Sequence, residues 1–96
     1  MNAEARYEVN GRIVIRRIAE EVLLVPISGP AAGACVYPVN PTALSVWECL
    51  AGGGTVSEAA AGLVERFGAT PDQAIEDSAA CAGAFVAESL LRERPA

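Results

Sequence analysis

Apolar and polar positions divide this 96-residue chain into a front part that alternates with a period of two and a back part with a period near 3.6. Residues 12 to 27 read RIVIRRIAEEVLLVPI. Two β-branched runs, Ile13 to Ile18 and Val22 to Ile27, flank the short polar step Ala19-Glu20-Glu21. That pattern predicts a β-hairpin with strands over about 12–18 and 22–27. Ser28 to Gly33 is made of small, turn-forming residues, and residues 34–39 return to a strand pattern. Pro38 lies inside that third strand. Proline has no N–H to give a ladder, so the strand is expected at an edge of the sheet with one side unpaired. Residues 1–10 carry no sustained period and are expected to be flexible.

From Asn40 onward three segments each open with a helix start signal. Asn40-Pro41-Thr42 offers a cap and a proline at the first helical position, and leads into Leu44, Val46, Trp47 and Leu50 over about 41–51. Thr55-Val56-Ser57-Glu58 is a capping box opening a helix over about 56–67 with Ala59, Ala60, Leu63, Val64 and Phe67 on one face, closed by Gly68. Thr70-Pro71-Asp72-Gln73 opens the third, over about 71–89. Leu90-Leu91 continues the apolar pattern beyond it and is placed to fold back onto the core. The expected fold class is α+β: a three-stranded antiparallel sheet followed by three helices in one domain spanning 1–96.

Composition agrees with a folded domain, since 52% of residues are apolar and 20% charged. The net charge of −5 is unevenly placed. Four arginines balance four glutamates up to Asn40, and the whole deficit lies beyond it, where eight acids face Arg66, Arg92 and Arg94. The third helix carries Asp72, Glu76, Asp77 and Glu88 and no basic residue. Nucleic-acid binding rests on Lys and Arg, so that helix is not expected to read DNA even if the helical half is arranged as a helix-turn-helix. The N-terminus lacks a signal peptide's apolar core and no apolar run reaches the ~18 residues of a membrane span, which makes the cytoplasm the expected compartment.

Catalytic chemistry is hard to assemble from this chain. It contains no histidine, so the commonest general base, triad partner and metal ligand are missing together. Cys35, Cys49 and Cys81 are widely spaced and odd in number, and read as small buried thiols of a reducing compartment rather than disulfides or zinc ligands. Asp72 and Glu76 sit where a helix dipole stabilises carboxylates anyway. Gly52-Gly53-Gly54 lacks the lysine and hydroxyl of a phosphate loop and reads as a helix stop, and Trp47 reads as core. No enzyme, cofactor or metal is expected.

The remaining working surface is the sheet edge, whose open N–H and C=O groups can take an extended peptide as another strand. Cys35, Tyr37 and Val39 share one face of the third strand, and Val36 and Pro38 the other. The third helix has almost no polar face over Ser78 to Ala84, which suits one wall of a groove. The same exposed edge leaves homodimerisation open.

From Val39 to Leu91 the chain resembles the PqqD family, the domain known as the RiPP recognition element. The resemblance is carried by Val39-Asn40-Pro41-Thr42-Ala43, Val46-Trp47-Glu48, Thr55-Val56-Ser57-Glu58-Ala59, Leu63 to Gly68, Pro71-Asp72-Gln73-Ala74 with Asp77, and Leu90-Leu91. It implies a winged-helix-like fold in which the leader segment of a ribosomally made precursor peptide adds antiparallel to the third strand and is presented to a modifying enzyme, a radical-SAM protein or a leader peptidase. By position it implies peptide-binding residues Cys35, Val36, Tyr37, Pro38 and Val39 on the strand, and Ile75, Ser78, Ala79, Cys81, Ala82 and Phe85 on the helix. Ser78 and Cys81 stand where the family has larger apolar residues, which implies a wider groove. The rival readings are an adaptor subunit that stabilises a partner enzyme and, against the charge, a winged-helix DNA-binding protein.

Overall fold

A computed structural model of the chain describes residues 2–33 and 36–95. In chain order the elements are β1 (Tyr7–Val9), β2 (Arg12–Ile18), β3 (Glu21–Ser28), β4 (Tyr37–Val39), α1 (Pro41–Ala51), α2 (Val56–Phe67), α3 (Pro71–Ala87) and β5 (Leu91–Glu93). The main sheet is antiparallel in the order β2-β3-β4, and the three helices follow it as the pattern predicts. The hairpin turns at Ala19, whose φ of 55° lies in the left-handed region that favours glycine. The proline-bearing strand β4 is an edge strand.

All three start signals operate as caps. Asn40, Thr55 and Thr70 each accept a backbone N–H three residues on, and Glu58 completes the box by accepting the Thr55 N–H at 3.0 Å. The third helix stops at Ala87, two residues short of the predicted end. Ser89 takes φ 61°, its N–H bonds Val86 O at 3.0 Å, and the Leu90 N–H reaches back to Phe85 O at 2.9 Å. That paired closure turns the chain sharply and delivers Leu90 and Leu91 into the core, both about fully buried.

The expectation of a flexible start is corrected by β1, which pairs antiparallel with β5 through Tyr7↔Glu93, Glu8↔Arg92 and Val9↔Leu91. Tyr7 is buried, the Ser57 N–H donates to Ala3 O at 3.0 Å, and Arg6 Nη1 donates to Gly53 O at 2.6 Å. A strand whose partner lies at the far end of the chain leaves no local period to read.

The core lies between the helices and one face of the sheet, with Leu24, Val46, Leu50, Leu63 and Phe85 fully or nearly fully buried. Each such side chain contributes roughly 1.5–3 kcal/mol of hydrophobic stabilisation. Most of β2 stays exposed, so the hairpin projects beyond the helices that cover β3 and β4.

Candidate functional site

Two strands border the main sheet. β2 lies along one border with Arg12, Arg16 and Arg17 exposed, side chains that blunt an edge against pairing. β4 lies along the other border, with α1 packed against it and α3 reaching it through an aromatic contact. The Tyr37 ring of β4 meets Phe85 of α3 edge-on, with centroids 5.8 Å apart and planes at 66°. Phe85 in turn meets Trp47 of α1 at 5.2 Å and 78°. A strand, a helix and the helix beneath them are thereby joined through one phenylalanine.

The register of β4 decides where its missing donor falls. β3 and β4 pair through Val22↔Val39, Leu23↔Pro38 and Leu24↔Tyr37. Proline has no N–H, so Leu23↔Pro38 cannot be a pair that exchanges two hydrogen bonds, and by antiparallel alternation the pairs on either side of it are the bonded ones. Tyr37 and Val39 spend their backbone groups on β3. Pro38 turns its carbonyl outward. The proline thus removes one donor from the open border and none from the sheet.

Side chains follow the opposite alternation. Val39 is buried and Tyr37 half-buried on the core face, while Val36 and Pro38 are exposed on the outer face. Cys35, expected beside them, lies outside the described residues. Burial raises the Tyr37 phenol above its ordinary 10.0, and the nearby Cys81 and Glu88 raise it further. Cys81 is half-buried, and burial and then Asp77 raise its thiol above 9.0. Cys81 and Asp77, four residues apart, share one flank of α3, and Cys81 and Glu88 lie near the Tyr37 phenol.

The other predicted wall residues separate by helix angle. Cys81 and Glu88 lie on one flank of α3, Ser78, Ala82 and Phe85 point into the core, and Ile75 and Ala79 fall on the opposite flank. Ile75 lines a shallow apolar groove with Ser57, Ala60, Ala61, Val64 and Pro71, between α2 and α3. The structure therefore brings Val36, Tyr37, Pro38 and Cys81 to one border and puts Ile75 elsewhere. Ser78, the small residue expected to widen the groove, is fully buried with its hydroxyl unpartnered among the described residues. Sequence reasoning missed Glu20, Glu21 and Glu88 as neighbours of this border. A count of charges showed the acidity of α3 but not which of its flanks meets β4.

Among the described residues little could drive a covalent reaction. Cys49, in a cleft of about 430 Å³ between α1 and α2 with Ser45, Glu48, Glu58 and Arg66, is also held toward the neutral thiol by burial and Glu58, with Arg66 opposing. A raised pKa is the reverse of what a nucleophilic cysteine needs. Among the described residues no group of three or more His, Cys, Asp or Glu side chains could hold a metal ion, and no helix is long and apolar enough to cross a membrane.

Fold and border together define a small α+β domain whose open strand is backed by a helix. The family described as Coenzyme PQQ synthesis protein D (PqqD) matches residues 20–91, three quarters of the chain, and the chain belongs to that family. Neither the curated proteins nor the solved structures compared with it provide a match. Membership gives the chain an accessory role in the biosynthesis of PQQ or of other ribosomally made, modified peptides, in a family of non-catalytic proteins that work with a peptide and a biosynthetic enzyme.

Proposed function

We propose that this domain binds the leader segment of a precursor peptide as an additional antiparallel strand beside β4 and presents it to a modifying enzyme, a radical-SAM protein or a leader peptidase. The observation that carries this reading is the position of β4: it borders the sheet, no strand lies on its outward side among the described residues, and α3 meets it through the Tyr37–Phe85 contact. Strand addition takes affinity from such backbone groups and specificity from flanking side chains, here Tyr37 and Cys81. Recognition of this kind needs no catalytic group. The absence of histidine and the raised pKa of the Cys49 and Cys81 thiols agree with it.

The test is a titration of the purified protein with the leader half of a precursor peptide encoded beside it. Saturable one-to-one binding supports the proposal. A well-folded protein that ignores the leader turns the assignment to an adaptor that only stabilises a partner enzyme. One observation favours that second reading: Val64, Phe67 and Ile75 are exposed around the α2–α3 groove, an apolar surface that strand addition at β4 leaves unused.

A further inference from the structure

The core lies against one face of the main sheet, and the register fixes which side chains stand on the other. Leu24 of β3 is fully buried on the core face, so its neighbours Leu23 and Val25 point away from the core. Val14 opposes Val25, Arg16 opposes Leu23 and Ile18 opposes Glu21 across β2 and β3, and Pro38 opposes Leu23 on β4, so all of these share the outer face. Packing separates the same two sets. Ile13 and Val22 lie against the core, whereas Val14, Leu23 and Val25, also half-buried, do not. Ile18 is 60% exposed, and Pro38 is exposed beside them.

An antiparallel sheet with one face in water ordinarily turns polar residues outward, and this one turns Val14, Ile18, Leu23 and Val25 outward instead. The face runs about 25 Å along the strands and about 10 Å between the axes of its outer strands, a patch of a few hundred Å² of the size that marks an interaction site. Its two charges, Arg16 and Glu21, are of opposite sign and make no ion pair or hydrogen bond among the described residues. Both stand at the perimeter, Arg16 on the border strand and Glu21 at the end of the hairpin, around an apolar centre. That is the arrangement of an interface, with an apolar core and a polar rim.

We propose that the outer face of the sheet is where two copies of this chain meet, sheet against sheet about a twofold axis, with Leu23 and Val25 central and Arg16 of each copy reaching Glu21 of the other. Charge selects a second copy as the occupant. The whole deficit of −5 lies beyond Asn40, so two copies meeting through their helical sides repel each other. The hairpin holds Arg12, Arg16 and Arg17 against Glu20 and Glu21, and a face with one charge of each sign is complementary to itself, as a twofold contact requires. Two such faces bury on the order of 800–1,000 Å², which sets a weak and reversible association. The contact uses the face of the sheet and leaves the outward side of β4 open. It therefore holds or fails independently of leader binding.

The experiment is sedimentation velocity on the full chain, on Arg16→Glu, on Glu21→Arg and on an equimolar mixture of the two variants. Both side chains are exposed, so the substitutions leave the core untouched, and circular dichroism checks the fold. The mass of the native chain should climb from that of one copy toward that of two, with half-association on the order of 100 µM. Each variant alone should need at least about fivefold more protein to associate, because it replaces the cross-copy ion pairs with like charges. The mixture should recover association within about twofold of the native chain, since one copy then brings two acids and the other two arginines. A chain still monomeric at about 1 mM overturns the inference. So does a dimer that ignores both substitutions, or one whose loss mixing does not restore.

Discussion

Tyr37 of β4 stands edge-on to Phe85 of α3, their ring centroids 5.8 Å apart, and this contact places the open border of the sheet beside a helix. A perpendicular aromatic pair sets a positive ring edge against a negative face and is worth about 0.5–1.5 kcal/mol beyond the area it buries. Phe85 also meets Trp47, so the alignment of β4 with α3 is built from α1 upward.

Phe85→Ala should therefore act on the whole fold rather than on binding alone. Truncating a fully buried phenylalanine costs about 3–5 kcal/mol, a large share of the roughly 5–15 kcal/mol that holds a domain together. The expected thermal unfolding curve shifts far down or loses its cooperative step by circular dichroism. A variant with an unchanged midpoint would mean that Phe85 is not the hub described.

Ser78→Ala is expected to stabilise the protein. The Ser78 hydroxyl is fully buried with no partner among the described residues, and alanine removes the unmet polar group and is the better helix former. A gain of about 1 kcal/mol in urea unfolding is expected. A clear loss would reveal a hydrogen bond made by that hydroxyl.

The thiols and phenols set the alkaline limit. Cys49, Cys81, Tyr7 and Tyr37 all hold their protons more tightly in the fold than their ordinary values of 9.0 and 10.0, mainly because burial disfavours the charged form. Their contribution is complete below the unfolded pKa and is lost as pH rises through the raised folded value. Urea midpoints should be flat with respect to these groups up to about pH 8 and fall above about pH 9. A midpoint that rises above pH 9 would contradict the direction of these shifts. Alkylation of Cys81 should also slow when leader peptide is bound while that of Cys49 does not, read site by site by mass spectrometry.

Pro38→Ala returns the missing donor to the open border without touching a β3–β4 hydrogen bond. One added backbone hydrogen bond is worth about 0.5–1.5 kcal/mol, so the leader should bind about two- to tenfold more tightly. Fold stability should hold. If the variant instead gains fold stability and binds no better, Pro38 faces β3 and the register is other than described.

Much of this architecture was legible because its signals are local. Thr55 with Glu58 and Thr70 with Gln73 announce helices through contacts three residues apart, Asn40 with Pro41 does so through adjacent residues, and Pro38 marks its strand as a border through a single absent hydrogen. β1 was not legible, because Tyr7 and Val9 are strand residues only through Glu93 and Leu91. The site was half legible for a similar reason. Tyr37, Pro38 and Cys81 follow from strand and helix placement, whereas the turn of Ile75 toward α2 depends on how α3 is rotated against its neighbours, which an almost uniformly small-sided helix does not encode strongly.

The central claim is that β4 receives a strand, and backbone amide chemical shifts recorded through a titration with the encoded leader test it most directly. Saturable shifts should appear at Val36, Tyr37 and Val39, and along residues 81–88 of α3, with β2 silent. Shifts confined to residues 12–18 of β2 or to the α2–α3 groove around Ile75, with β4 unmoved, would contradict it.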